Sequence, residues 1–235
     1  MPQTLHLIPV SLGESPTSRW LPAQVQATAG KLDFYIAENA KTARAFLKLI
    51  GTEKPIQDIT IHALSRDTDA AQIRRWFKQS DATGDIGLVS EAGCPAVADP
   101  GALVVQTAHE MGIRVAPWTG PSSIMLGLMA SGLNGQSFVF HGYAPVAPAE
   151  RARQLRTWEA ASRKNRQTQI FIETPYRNDA MLETLLQSLA GTTRLCIARA
   201  LTTDHEWIQT HAIDAWKKQP APALQKQPTL FLFQA

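Results

Sequence analysis

The first half of the chain alternates short apolar runs with segments whose apolar residues recur at helical spacing, and this alternation restricts the fold more than any other feature. The apolar runs have the length and composition of buried strands, and they lie at residues 5–10, 34–37, 58–63, 86–89 and 114–118. Strands that alternate with helices form parallel sheets through right-handed crossover connections. The pattern therefore predicts an α/β unit with a parallel sheet over residues 1–118.

The second half of the chain also contains strands, but the last ones are separated by shorter connections. Its predicted strands lie at residues 137–141, 169–173, 194–199, 206–210 and 229–233. Short connections suit antiparallel neighbours, whereas parallel neighbours need a long crossover. We therefore expect a two-domain α/β protein in which an N-terminal domain (1–118) has a parallel sheet and a C-terminal domain (119–235) has a mixed sheet.

A long loop of small residues joins the strand at 86–89 to a helix predicted to begin near residue 100. The loop reads SEAGCPAVADPG over residues 90–101, whereas strand–helix connections usually have about two to six residues. Gly93 lacks a Cβ, so the backbone can approach a ligand closely, and open α/β sheets bind ligands beyond the carboxyl ends of their strands. The alternative is a plain connection with Asp99 as the N-cap of the helix. We interpret the loop as a ligand site.

The charge distribution allows an anionic partner. The chain carries a formal net charge of +3, and positive charge concentrates in residues 150–166, opposed only by Glu150 and Glu159. Lysine and arginine contacts to phosphates provide most of the affinity of proteins for nucleic acids. An ordinary solvated helix face is the alternative interpretation of this segment.

Composition and spacing also give expectations about compartment and metals. Cys94 and Cys196 are far apart and form neither a metal-binding nor a disulfide pattern, which suits a reducing cytoplasm. The most apolar helical segment, residues 123–133, is too short to span a bilayer. We expect a cytoplasmic protein that binds no metal and does not enter the membrane.

The loop sequence is the strongest link to a known family. SEAGCP followed by ADPG resembles the Ser-Asp-Ala-Gly-x-Pro…Asp-Pro-Gly signature of the small-subunit ribosomal RNA cytidine 2′-O-methyltransferases, which belong to the tetrapyrrole methylase superfamily. Further segments resemble motifs of that family in the same order, and they lie at residues 7–13, 37–41, 112–122, 171–177 and 198–202. The resemblance covers nearly the whole chain.

The resemblance implies a tetrapyrrole-methylase-like fold with a cleft between the two α/β domains, in which S-adenosylmethionine is held, and a homodimer. The residues that it implies near the cofactor are Pro9, Ser90, Ala92, Gly93, Val97, Asp99, Ser122, Ser123, Phe171 and Leu201. Asn39, Lys41 and Glu91 stand where the family has Asp, Arg and Asp, and the opening loop lacks the family's Pro-Ile-Gly-Asn. These departures affect the substrate side more than the cofactor loops.

Methylation of a hydroxyl group needs a carboxylate or other group that accepts the proton. Glu38, Glu91 and Asp99 follow predicted strands and would face the same cleft. Asp99 has the N-cap role as an alternative, and Glu38 has Lys41 as a competing partner. We therefore predict that Glu38 or Glu91 is the catalytic base.

Basic residues are the predicted substrate contacts. They are Lys41, Arg151, Arg153, Arg156, Arg177 and Arg199. For the last two, a salt bridge at the rim of the site is an equally good explanation.

The sequence thus favours an S-adenosylmethionine-dependent methyltransferase that acts on ribosomal RNA. A methylase of a small molecule such as a tetrapyrrole is the first alternative, although such a substrate would not need the basic segment at 150–166. A non-catalytic module that binds S-adenosylmethionine or RNA is the second, because residues 39, 41 and 91 depart from the family pattern. A dehydrogenase is disfavoured, since no Gly-x-Gly-x-x-Gly follows the first strand.

Overall fold

A computed structural model describes residues 3–80 and 84–235 of the chain. The chain divides into two compact units, Met1–Ser122 and Ser123–Ala235. The division falls four residues after the boundary expected from the sequence, so the turn at residues 119–122 belongs to the first unit.

The first unit contains a parallel sheet with helices in its crossover connections. Its elements are β1 (Thr4–Leu7), α1 (Ala23–Ala29), β2 (Phe34–Ala37), α2 (Ala40–Ile50), β3 (Thr60–Ala63), α3 (Ala70–Ser80), β4 (Ile86–Val89), α4 (Ala102–Glu110) and β5 (Arg114–Pro117). Among the described residues the strand order is β3-β2-β4-β1-β5, and every neighbouring pair is parallel. The predicted parallel sheet is confirmed.

Apolar side chains cover both faces of this sheet. Alternate residues of a strand point to opposite faces, so Tyr35 packs in one core cluster with Leu47, while Phe34 and Ile36 pack in the other. The ring of Tyr35 occupies the space beside Gly87, where an added Cβ would lie 2.3 Å from its Cε1. The sheet is therefore buried on both faces, as parallel sheets are.

The second unit contains a mixed sheet. Its elements are α5 (Ser123–Ser131), β6 (Phe138–Tyr143), α6 (Pro148–Asn165), β7 (Thr168–Ile172), α7 (Asn178–Ser188), β8 (Arg194–Arg199), β9 (Trp207–Ala212), α8 (Ile213–Trp216) and β10 (Thr229–Gln234). The strand order is β6-β7-β10-β8-β9 among the described residues. The β6–β7 pair is parallel and the other three are antiparallel. The mixed sheet expected from the short connections is confirmed.

The N-cap role considered for Asp99 is wrong, and one helix was not expected. Helix α4 begins at Ala102 with Gly101 at its N-cap and no side-chain cap, so Asp99 does not cap the helix. The short helix α8 was not expected, because its four residues show too little periodicity to be recognised. Across the described residues, none of the helices combines the length and apolar character needed to cross a membrane.

Candidate active site

The loops at the carboxyl edge of the first sheet form the candidate site. Because all strands of this sheet are parallel, the segments that follow β1, β2, β4 and β5 emerge at the same edge. Ala37 of β2 pairs with Val89 of β4, so Glu38 and Ser90 leave the sheet side by side. Residues far apart in the chain therefore meet here.

The loops after β1, β4 and β5 are in direct contact. Val10 and Gly93 exchange two backbone hydrogen bonds, with N···O distances of 3.0 and 3.2 Å. Gly93 has a φ of +72°, and an added Cβ would lie 3.3 Å from the carbonyl oxygen of Pro121. An added Cβ on Gly120 would lie 2.3 Å from the Cβ of Pro9. The two glycine-proline turns and the proline after β1 thus form one continuous surface.

Asp99 determines the shape of the loop after β4. Its carboxylate accepts hydrogen bonds from the Ala96 N–H at 3.0 and 2.9 Å and from the Gly101 N–H at 2.7 Å. Ala96 and Ala98 have φ values of +66° and +60°, a conformation that costs about 1–2 kcal/mol for a residue with a Cβ. Burial raises the pKa of Asp99 above its ordinary value despite these hydrogen bonds. Asp99 holds a strained loop in place.

The same loop presents unpaired backbone donors. The N–H groups of Ala92, Val97 and Ala98 donate no hydrogen bond to any of the described residues. Val97 is 49% exposed although it is apolar. Ser90 is buried, and its hydroxyl lies 3.3 Å from the Ala92 carbonyl oxygen. An exposed apolar side chain beside free N–H groups suits a ligand with both apolar and polar parts.

Two glutamates are brought together at this edge. Oε2 of Glu38 accepts a hydrogen bond from the backbone N–H of Glu91 at 3.2 Å. Burial, and then the charges of Asp99 and Glu91, raise the pKa of Glu38 above the usual glutamate value. The hydroxyl of Thr42 donates to Oε1 of Glu91. No ion pair joins Glu38 to Lys41 in the described chain, so the competing role expected for Glu38 is not seen.

The second unit contains predicted cofactor residues whose side chains are buried. Phe171 is fully buried and packs against Trp158, Phe231 and Phe233, and Leu201 is 6% exposed. The Phe171 ring therefore belongs to the core, and its side chain is closed to a ligand. Ser123 begins α5 in the second unit, and Ser122, the last residue of the first unit, is half-buried.

The substrate role predicted for Arg151 is wrong. Arg151 is 4% exposed, and its guanidinium donates to Thr184 Oγ1 at 3.1 Å and to the Ala180 carbonyl oxygen at 3.3 Å. It lies on the inner face of α6, at helical spacing from the buried Leu155 and Trp158. The guanidinium therefore lies inside the fold, where its hydrogen bonds join α6 to α7.

The other predicted arginines divide into two groups. Arg153 and Arg156 are exposed on α6, and their side chains contact no described partner by hydrogen bond or ion pair. Arg177 pairs with the buried Glu173, which raises the pKa of the arginine. Arg199 donates to the Ala223 carbonyl oxygen at 2.7 Å and lies over a tryptophan ring. Arg177 and Arg199 therefore have structural partners.

Glu173 and Thr42 were not among the site residues predicted from the sequence. Glu173 directly follows the apolar strand β7, as Glu38 follows β2, and this shared position could have indicated it. Oε2 of Glu173 is buried and has no hydrogen-bond partner within residues 3–80 and 84–235. Thr42 is one turn into α2, and only the fold shows that its hydroxyl reaches Glu91. The described residues contain no group of three or more His, Cys, Asp or Glu side chains that could hold a metal ion.

Several named proteins have sequences similar to that of this chain. It is 32% identical over 208 residues to the ribosomal RNA small subunit methyltransferase I of Xylella fastidiosa, covering 88% of this chain and 71% of that protein. It is 28% identical over 204 residues to the protein of the same name from Bacillus subtilis, covering 86% and 65% of the two chains. For the Mesorhizobium japonicum protein the identity is 37%, covering 55% and 43%. The chain thus spans less than two thirds of the second and third relatives.

Fold and family comparisons agree with these relatives. The crystal structure of the methyltransferase CobJ superimposes with a TM-score of 0.62, covering 98% of this chain and 92% of that chain at 16% identity, which shows the shared fold. The Tetrapyrrole (Corrin/Porphyrin) Methylases family matches residues 19–214. With its parallel and mixed sheets and this match over most of its length, the chain belongs to the tetrapyrrole methylase family of methyltransferases.

Proposed function

We propose that this protein transfers the methyl group of S-adenosylmethionine to a ribose 2′-hydroxyl of small-subunit ribosomal RNA. The observation that carries the proposal is the meeting of Glu38 and Glu91 beside the strained loop at residues 90–101, in a chain of this family. Three of the relatives named above are small-subunit ribosomal RNA methyltransferases, which supports RNA as the substrate.

The edge of the first sheet fits a cationic nucleoside donor. Glu38, Glu91 and Asp99 lie near one another, and none of the three forms an ion pair with a described residue. Unpaired negative charge favours a bound sulfonium, and the free N–H groups of the loop suit adenosine and carboxylate oxygens. S-adenosylmethionine supplies a methyl group on sulfur, which leaves as a neutral thioether when a nucleophile takes the methyl.

Glu38 is the proposed acceptor of the hydroxyl proton. Oε2 of Glu38 is held by the Glu91 N–H, which leaves Oε1 to accept a hydrogen bond from the ribose hydroxyl. As the hydroxyl oxygen forms its bond to the methyl carbon, its proton passes to this carboxylate. Because its pKa is raised, the ionised Glu38 carboxylate is a stronger base than an ordinary glutamate. Glu91 orients Glu38 through its N–H and adds negative charge.

The exposed face of α6 supports an RNA substrate. Arg153 and Arg156 lie three residues apart and therefore share one helix face. Glu159 forms no ion pair with either arginine in the described chain, and its carboxylate instead accepts hydrogen bonds from the Ala190 N–H and the Thr193 hydroxyl. The net positive face remains available for phosphate groups.

Transfer of labelled methyl groups tests the proposal. The protein is incubated with tritiated S-adenosylmethionine and total RNA from cells that lack it, and the labelled nucleotide is mapped. We expect label in small-subunit ribosomal RNA at a ribose hydroxyl. Label in small molecules or protein but not in RNA would reject the proposal, and donor binding without transfer to any acceptor would indicate a non-catalytic module.

A further inference from the structure

A hollow lies beside Glu38 and Glu91, and the proposed methyl transfer gives it no role. It has a volume of about 240 Å³ and lies between α2 and the loops after β1 and β4. Sites for whole drug-sized ligands usually measure about 300 to 1,000 Å³. The hollow suits a single planar ring rather than the entire methyl donor.

The walls of the hollow combine apolar and polar groups. Phe46, Ala45 and Leu49 of α2 provide the apolar side, while Thr42 and Glu91 provide polar atoms at one end. Leu49 is 58% exposed, so its apolar side chain is available to contact a ligand in the hollow. A nucleobase has apolar faces and a polar edge, and it would satisfy both kinds of wall.

A stripe of cations runs along α2 next to the hollow. Lys41, Arg44 and Lys48 are exposed and recur at intervals of three and four residues, so they share one helix face. The distance along the helix axis from residue 41 to residue 48 is about 10 Å, at a rise of about 1.5 Å per residue. Helix α2 contains no acidic residue. None of the three cations forms an ion pair with a described residue, and Arg44 makes one long hydrogen bond, 3.4 Å, to the Ala40 carbonyl oxygen.

The positions of these cations are unfavourable for the helix itself. Lys41 is in the first turn, where the helix dipole disfavours positive charge. Arg44 and Lys48 are four residues apart, a spacing at which like charges repel. An anionic partner along this face would relieve both effects.

We propose that the hollow binds a nucleobase of single-stranded RNA and that Lys41, Arg44 and Lys48 bind its phosphate backbone. This site deepens the proposed function and rests on it, since it assigns α2 as the segment that leads RNA to Glu38 and Glu91. The RNA enters as an unpaired strand, because a base inside a duplex cannot enter a hollow in the protein.

Binding of a fluorescein-labelled RNA hexamer of mixed sequence, followed by anisotropy, tests the phosphate contacts. The double variant Arg44→Glu/Lys48→Glu is compared with Arg75→Glu/Lys78→Glu, which reverses two exposed charges on α3 of the same unit. We expect the α2 variant to weaken binding at least about tenfold and to lower the salt dependence by about two ion equivalents. Equal behaviour of the two variants would overturn the proposal.

A second comparison tests the hollow. Ala45→Trp fills it, and Ala71→Trp places the same ring on an exposed position of α3. We expect Ala45→Trp to abolish the preference for the hexamer over inorganic polyphosphate, while Ala71→Trp retains it. A retained preference in both variants would remove the base from the proposal. Binding of vesicles that contain phosphatidylserine, with no binding of the hexamer, would also overturn it.

These outcomes are separable from those of the proposed function. If the wild-type protein methylates RNA but the α2 variants behave as their controls, the inference fails and the function stands. If the hexamer binds through α2 but no methyl reaches RNA, the site stands as an RNA site and the proposed function fails.

Discussion

Gly120 packs against Pro9 so closely that a Cβ at position 120 would lie 2.3 Å from the proline Cβ. This contact joins the loop after β5 to the loop after β1 at the edge where Gly93 also contacts Pro121. The two glycine-proline turns therefore pack together at one edge of the first unit's sheet.

The variant Gly120→Ala tests this contact. We expect it to lower the free energy of unfolding by about 1–3 kcal/mol, because the methyl group forces the two loops apart. Urea denaturation measures the change. Gly135→Ala is the control, since nothing lies within 4 Å of a Cβ at position 135. Equal stability of the two variants would show that the loops can separate at little cost.

Glu38→Gln is expected to change stability in a pH-dependent way. The pKa of Glu38 is raised in the folded protein, so folding disfavours its ionised form. The contribution of Glu38 to stability is therefore full below the pKa of the unfolded chain and is lost as pH rises through the folded pKa. Glu38→Gln should be more stable than the wild type at pH 7, and the difference should vanish near pH 4. Thermal unfolding at several pH values measures it, and a difference that grows towards acid pH would contradict the assignment.

Arginines on opposite faces of α6 should have opposite phenotypes. Arg151→Ala removes two buried hydrogen bonds and leaves Thr184 without this partner, so we expect a loss of about 2–3 kcal/mol in unfolding free energy. Arg153→Glu/Arg156→Glu should change stability by only about 0.5 kcal/mol but reduce the salt dependence of RNA binding by about two ion equivalents. Denaturation and binding titrations distinguish them. A stable Arg151→Ala protein with weakened RNA binding would reverse the assignment.

The Glu173–Arg177 pair gives a further stability prediction. Arg177→Met leaves the buried Glu173 carboxylate without its cation. We expect a loss of about 2 kcal/mol, less than the about 3–5 kcal/mol for a fully buried pair, because the Arg177 side chain is 35% exposed. Glu173→Gln/Arg177→Met should recover most of the loss in chemical denaturation. If the double variant is no more stable than the single one, the pair is not the cause.

Local patterns in the sequence were sufficient for most of the secondary structure. Helix α2 (Ala40–Ile50) is readable from its sequence, because its buried apolar residues recur at helical spacing and the Asn39 side chain caps it by accepting a hydrogen bond from the Lys41 N–H. The parallel sheet followed from the alternation of strands and helices. Boundaries were less certain at β1, where the strand ends at Leu7, two residues before Pro9, which lacks an N–H for the ladder.

The residues of the candidate site meet through contacts that cannot be predicted from their order along the chain. Glu38 meets Glu91 only because β2 lies beside β4 with Ala37 opposite Val89. The inward orientation of the Arg151 side chain could have been predicted, since Leu155 and Trp158 follow it at helical spacing and lie on the inner face of α6. The charge of Arg151 alone suggested that it binds substrate, whereas in the structure its side chain packs against α7.

Single-turnover methyl transfer to ribosomal RNA by the wild type, Glu38→Gln and Glu91→Gln tests the central claim most directly, with donor affinity measured in parallel by calorimetry. The account predicts that Glu38→Gln transfers at least about 100-fold more slowly than the wild type while it still binds the donor, and that Glu91→Gln shows a smaller loss. Unchanged transfer rates in both variants would contradict the assignment of the carboxylate edge as the site of methyl transfer.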